Sequence, residues 1–127
     1  MLFQENNKAI YLQIADNVCD NVLSGTLPPG SRIPSVREYA ADIEVNANTV
    51  MRAYDYLASR DIIYNKRGIG YFISPDAPQT VRQTRRDELL GSEINTLFNR
   101  LRLLGITPDE LARLYNDYCH NNPITDK

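Results

Sequence analysis

Histidine occurs once in the 127 residues and cysteine only twice, and both scarcities bear first on catalysis. The single histidine, His120, is followed and preceded by no partner it could work with: Cys119 is its neighbour, and adjacent helical side chains point about 100° apart, so they cannot converge as base and nucleophile. Near a chain end, His120 reads as a solvated residue. Cys19 and Cys119 have no CxxC or metal-ligand spacing, which fits free thiols in a reducing compartment and excludes a disulfide framework or a structural zinc. Carboxylates are plentiful but scattered, and the sequence pairs Asp87-Glu88 and Asp109-Glu110 fall in early helical turns, where they complement the helix dipole. No catalytic residue, metal or cofactor is expected, and the chain is read as a non-enzyme.

Long apolar runs are also missing. The longest, such as Ile62 to Tyr64, are far short of the roughly 20 residues that span a bilayer, so no membrane segment is expected. Residues 1–7 carry neither a basic nor an apolar leader pattern, and the expected compartment is the cytoplasm. Nor is there a charge excess: 14 Lys+Arg oppose 16 Asp+Glu, a net charge of -2. Either side of Pro75 there are seven basic and eight acidic residues, so neither half is a basic tail. Coating nucleic acid through bulk charge is excluded, and any such contact has to come from the placement of a few groups. Gly68-Ile69-Gly70 lacks the third glycine of a dinucleotide fingerprint and precedes a strand, and no Walker A motif exists, so no nucleotide site is implied.

What is there is 43% apolar content, enough for a small domain with an appendage. From Lys8 to Ser24, Ile10, Ile14, Val18 and Val22 recur every fourth position, an amphipathic helix that Gly25 ends. Leu27-Pro28-Pro29-Gly30 is a rigid turn. Ser35 and Glu38 form a capping box for a short helix with Val36, Tyr39, Ala40 and Ile43 on one face. After Glu44-Val45, Asn46 caps a third helix to about Ser59 with Val50, Ala53, Tyr54 and Leu57 inward. The period then changes to two: 62–65 and 71–74 are strands around the glycine-bearing loop 66–70. The order is that of a winged helix-turn-helix domain, residues 1–75, followed by a Pro75 to Pro78 linker. A long helix over 80–104 and a last one opened by Thr107-Pro108-Asp109-Glu110 complete a helical pair, residues 76–127. The fold class is mainly α with a small β-hairpin.

With Val50, Tyr54 and Leu57 inward, Ala47, Asn48, Thr49, Met51, Arg52 and Asp55 face out. Asn reads adenine edges, Thr offers a hydroxyl or methyl, and small Ala47 permits close approach to a groove floor. At the hairpin tip Lys66 and Arg67 suit phosphate tracking or minor-groove entry, and Arg32 and Arg37 lie where the second helix would cross a DNA backbone. The competing view is a winged-helix module that binds another protein without binding DNA.

Leu27-Pro28-Pro29-Gly30-Ser31-Arg32-Ile33-Pro34-Ser35-Val36-Arg37-Glu38, Val45-Asn46-Ala47-Asn48-Thr49-Val50 and Arg67-Gly68-Ile69-Gly70-Tyr71-Phe72 stand in order, and with them the sequence resembles the GntR family of bacterial transcription regulators. The short helical tail resembles the YtrA-like branch, whose members carry no large ligand domain. The resemblance implies a homodimer on a palindromic operator in double-stranded DNA, with Arg37, Asn46, Ala47, Asn48, Thr49 and Gly68 as contacts and repression as the outcome. Ala47 and Met51 stand where arginine is frequent in the family, so guanine contacts are not expected from those two positions, and Asn48 and Arg52 are the residues that would compensate. A helical pair this small cannot bury both its apolar stripes alone. A second copy is expected to cover Leu90, Ile94, Leu97, Phe98, Leu101, Leu104, Leu111, Leu114 and Tyr118. No residue identifies a small-molecule effector.

Overall fold

The computed structural model describes residues 8–124, so the reading of residues 1–7 as no leader lies outside the described residues. Element order is α1 (Ile10–Ser24), α2 (Val36–Ile43), α3 (Ala47–Ser59), β1 (Ile63–Lys66), β2 (Gly70–Ile73), α4 (Ala77–Glu88), a π-helical turn (Leu89–Glu93), α5 (Ile94–Leu103) and α6 (Pro108–Asn121). Mainly helical with one antiparallel hairpin, this is the winged helix-turn-helix order that the sequence predicts. No described helix is long and apolar enough to cross a membrane.

The chain divides into two compact units, Met1–Thr84 and Arg85–Lys127. In the first, one cluster is built from Ile14, Val18 and Val22 of α1, Ala40 of α2, all four inward residues of α3, Ile33, and Ile62, Ile63 and Ile73 around the hairpin. Ile10 is the exception among the α1 residues expected inside: it is 46% exposed, because the stripe runs out at the helix's first turn. No polar or charged residue is buried in the described chain. Tyr54 of α3 is fully buried and meets Tyr39 of α2 and Tyr71 of β2 edge-on, at 6.1 and 5.0 Å between ring centroids. The Tyr39 hydroxyl is on the rim of the core, where it accepts from Asn17 Nδ2 at 3.1 Å.

Caps stop and start the helices where the sequence signals them. Gly25 takes φ 85° and its N–H donates to the Val22 carbonyl. The Ser35 hydroxyl accepts from the Glu38 N–H while Glu38 Oε1 accepts from the Ser35 N–H at 2.9 Å, a complete capping box. The latter bond holds the Glu38 carboxyl below the usual carboxylate range, with the Ser35 side chain and the Arg32 guanidinium adding to it. Between α2 and α3 the turn is tight enough that Glu44 adopts φ 55°, a left-handed conformation costly for a residue with a Cβ.

Two expectations are corrected after the hairpin. Pro78 lies in α4 instead of in a linker: a proline in the first helical turn forfeits only an N–H that has no intrahelical partner. Ala77 and Val81 bury themselves in the first unit's core, which therefore extends to Thr84. The helix expected over 80–104 is instead α4 and α5 with the π turn between them, at a segment containing Gly91 and Ser92, both weaker helix formers than alanine. The strands begin one residue away from the expected 62–65 and 71–74, and pair Ile63 with Ile73 through Lys66 with Gly70.

Candidate nucleic-acid interface

The surface expected to meet DNA is assembled from the start of α3, the first turn of α2 and the hairpin. At α3, Asn46 Oδ1 accepts from the Asn48 N–H at 2.7 Å, so Asn46 is the cap and the exposed Asn48 amide group is left outside that task. Ala47, Asn48 and Arg52 are exposed and Thr49 half-buried, while Val50, Ala53, Tyr54 and Leu57 are buried on the other face. The first turn of α3 holds no acidic residue. Within that turn, therefore, no carboxylate offsets the partial positive charge of its N–H groups. Asn48, Thr49 and Arg52 come together with Ala9, Ile10 and Tyr11 as the lining of one open groove of about 360 Å³.

Arg37 is exposed in the first turn of α2. Arg32, which precedes α2 in sequence, is placed instead with the hairpin. It forms a bridge with Phe72, and Ile33 N–H donates to the Tyr71 carbonyl at 3.0 Å, so the exit of the proline turn runs as a short extra strand beside β2. The Arg32 guanidinium lies across Gly70: a Cβ built there would be 3.0 Å from Arg32 Nε, at a φ of 142° that side-chain-bearing residues rarely adopt. Glycine at 70 thus makes room for the arginine as well as for the turn.

Around the loop, Lys66, Arg67 and Gly68 are all exposed. Gly68 takes φ 79°, as a tight hairpin connection demands, and a Cβ there would meet nothing within 4 Å, so the tip is open. Lys66 Nζ lies 5.2 Å from the centroid of Phe72, whose ring stacks with that of Tyr64. The strands thereby hold one of the two tip cations over an aromatic pair. Among the residues that sequence reasoning missed as part of this surface, Tyr11 stands out. Its ring centroid is 4.1 Å from the Arg52 guanidinium carbon. Nothing in the spacing of two residues on different helices signals that contact.

In the second unit, no residue of α5 or α6 is buried. Leu90, Leu97, Phe98, Leu104, Leu114 and Tyr118 are exposed, and Ile94, Leu101 and Leu111 are half-buried. Phe98, Leu101, Ile106, Pro108 and Leu111 line an apolar groove of about 360 Å³. Cys19 is a buried cysteine and Cys119 an exposed one, neither of them in a disulfide.

Residues 10–73 match the family described as bacterial regulatory proteins, gntR family. Over 107 residues, 84% of the chain, the sequence is 34% identical to the HTH-type transcriptional regulator YhcF of Bacillus subtilis, covering 87% of that protein. It is 43% identical over 72 residues to the transcriptional repressor YtrA of the same organism, covering 57% of this chain and 55% of that one. The fold is similar to the crystal structure of a GntR-family transcriptional regulator from Bacteroides thetaiotaomicron, with a TM-score of 0.78, 46% identity, and coverage of 89% of this chain and 98% of that one.

Proposed function

Since the chain belongs to the GntR family of bacterial regulatory proteins, a family of DNA-binding transcription regulators, we propose that it represses transcription as a homodimer on a palindromic operator. The observation that carries this reading is the split of α3 into a buried apolar face and an outward face of Ala47, Asn48, Thr49 and Arg52. In the proposed complex the N-terminal half of α3 enters the major groove. Asn48 and Thr49 meet base edges and Asn46 and Ala47 pack close to the floor, while Arg32 and Arg37 bond backbone phosphates. The hairpin tip, Lys66, Arg67 and Gly68, reaches the adjacent minor groove. The C-terminal helices α5 and α6 pair two copies through their apolar stripes. The setting is cytoplasmic, and the role needs no catalytic group, metal or cofactor.

The distinguishing measurement is binding to the DNA upstream of its own gene, located by footprinting. With six to ten phosphate contacts, affinity should fall by about 10³ to 10⁵ between 50 and 200 mM salt. Asn48→Ala should cost about 1 to 3 kcal/mol on the preferred site and little on a scrambled one, whereas Lys66→Ala should weaken both and reduce the salt slope by about one unit. Equal losses on both duplexes from Asn48→Ala would contradict base reading by α3. Salt-independent or absent binding would favour the protein-binding alternative.

A further inference from the structure

Tyr11, on the first turn of α1 and half-buried, meets two groups from α3. On one side the Arg52 guanidinium lies over its ring, 4.1 Å from carbon to centroid. On the other, Tyr56 approaches edge-on at 6.2 Å with an interplanar angle of 73°. Tyr56 carries a second guanidinium, that of Arg60, 4.4 Å from its centroid. The order Arg52, Tyr11, Tyr56, Arg60 is thus a run in which each guanidinium lies over a ring and the two rings meet edge-on, along the seam between α1 and α3.

A guanidinium laid on an aromatic face uses its plane for that contact and keeps its N–H groups, all in the plane, for acceptors at its edge. Arg52 is four residues after Asn48 and three after Thr49, so the three project from one side of α3, and they share the groove whose opposite lip is Ala9, Ile10 and Tyr11. A long side chain one turn after those that reach base edges, on the side toward a neighbouring helix, has the reach to meet the phosphates that border the groove. A long side chain already confined by a ring has less freedom to lose on binding, so the same contact yields more affinity.

We propose that Tyr11 is a positioning residue, its ring holding the Arg52 guanidinium as a pre-set clamp for one DNA phosphate beside the bases met by Asn48 and Thr49. This replaces the guanine contact that the sequence suggested for Arg52, and it rests on the DNA-reading function proposed above. Because a phosphate contact is independent of sequence, the probe is a duplex of mixed sequence, and the readout is the slope of log affinity against log salt for the full chain. Arg52→Ala should reduce the slope by about one unit and lower affinity about fivefold near 0.15 M salt, the counterion-release loss of one contact. Tyr11→Leu should do the same, Tyr11→Phe should behave as the parent, and the double variant Tyr11→Leu with Arg52→Ala should be no weaker than Arg52→Ala alone. Circular dichroism establishes that each variant is folded, and Tyr11→Met, of similar reach and without a π face, stands in if Tyr11→Leu is not. An unchanged slope in the folded Tyr11 variant, or additive losses in the double variant, overturns the clamp while leaving DNA binding intact. If Arg52→Ala, Asn48→Ala and Lys66→Ala all leave duplex binding untouched, the DNA-reading function itself fails and the clamp with it.

Discussion

Leu97→Glu is expected to make the protein monomeric and to lower its affinity for a palindromic operator by about 10² to 10⁴, the advantage that linking two binding heads confers. The unit Arg85–Lys127 presents Leu97 at 49% exposure and Phe98 at 45% on α5, with Leu114 and Tyr118 exposed on α6. An apolar surface of that extent on so small a unit costs solvation that a second copy would relieve. In a two-fold interface every residue occurs twice on self-complementary patches, so one substitution introduces two carboxylates into a surface that closes around them. Burying an unpaired carboxylate there costs several kcal/mol, enough to dissociate a dimer held by one helical pair from each chain. Sedimentation at micromolar concentration gives the oligomeric state, and anisotropy with whole and half operators gives the affinity. Half-site affinity and helical content should remain at parent values, which separates loss of pairing from loss of folding. A Leu97→Glu protein that still sediments as a dimer would show that the pairing surface is elsewhere.

The parts of the molecule legible in the sequence are those governed by local chemistry. Val50, Ala53, Tyr54 and Leu57 identify the buried face of α3 because a helix repeats every 3.6 residues, and all four are buried. Ser35 with Glu38, Asn46 and Thr107 mark helix starts because each side chain satisfies a backbone N–H within three residues of itself, and Pro108 fits the first position of α6 because its missing N–H would have no intrahelical partner there. The two glycines of the hairpin loop both take positive φ, as a tight reversal requires.

What escaped the sequence depends on contacts between distant segments or on weak local preferences. Pro78 looks like a linker residue until α4 is seen to start at Ala77 and to bury Ala77 and Val81 against the rest of the core. The π turn over Leu89–Glu93 replaces a regular helix without altering the apolar spacing that suggested one. Arg32 belongs with the hairpin through pairing with Phe72, although its nearest element in sequence is α2. Within the candidate interface, the exposure of Asn48, Arg52, Lys66, Arg67 and Gly68 follows from periodicity and turn chemistry. The stacking of Arg52 on Tyr11 does not, since it joins side chains on different helices brought close only by tertiary structure, and that of Lys66 above Phe72 depends on the register of the hairpin.

Tyr54→Ala is expected to remove about 3 to 5 kcal/mol of stability, the usual cost of truncating a buried aromatic residue to alanine, out of the 5 to 15 kcal/mol or so that a domain of this size has. Tyr54 is fully buried, and its ring joins α3 to Tyr39 of α2 and Tyr71 of β2. Its hydroxyl donates to the Pro34 carbonyl at 2.6 Å, which ties α3 to the segment leading into α2. Tyr54→Phe retains the ring and loses the donor, so about 1 to 3 kcal/mol should go, for the carbonyl left without its partner. Thermal denaturation orders the variants, at about 4 to 8 °C per kcal/mol. The same hydroxyl gives the fold an alkaline limit. Burial pushes its titration well above the ordinary tyrosine range, and the nearby Tyr39, Tyr71 and Glu38 add to the shift; burial raises Tyr39 as well. A group whose folded value is raised contributes its full stabilisation below the unfolded value of about 10 and loses it as pH climbs from there toward the folded value. The parent should therefore weaken steadily above about pH 10, and Tyr54→Phe should flatten most of that decline while starting from a lower plateau. An equally steep alkaline loss in Tyr54→Phe would assign the limit to other groups. Because Tyr54 connects α3 to α2 and to β2, the residue that stabilises the domain also sets the spacing of the elements proposed to grip DNA, and Tyr54→Ala should lose operator binding at temperatures well below the parent's unfolding.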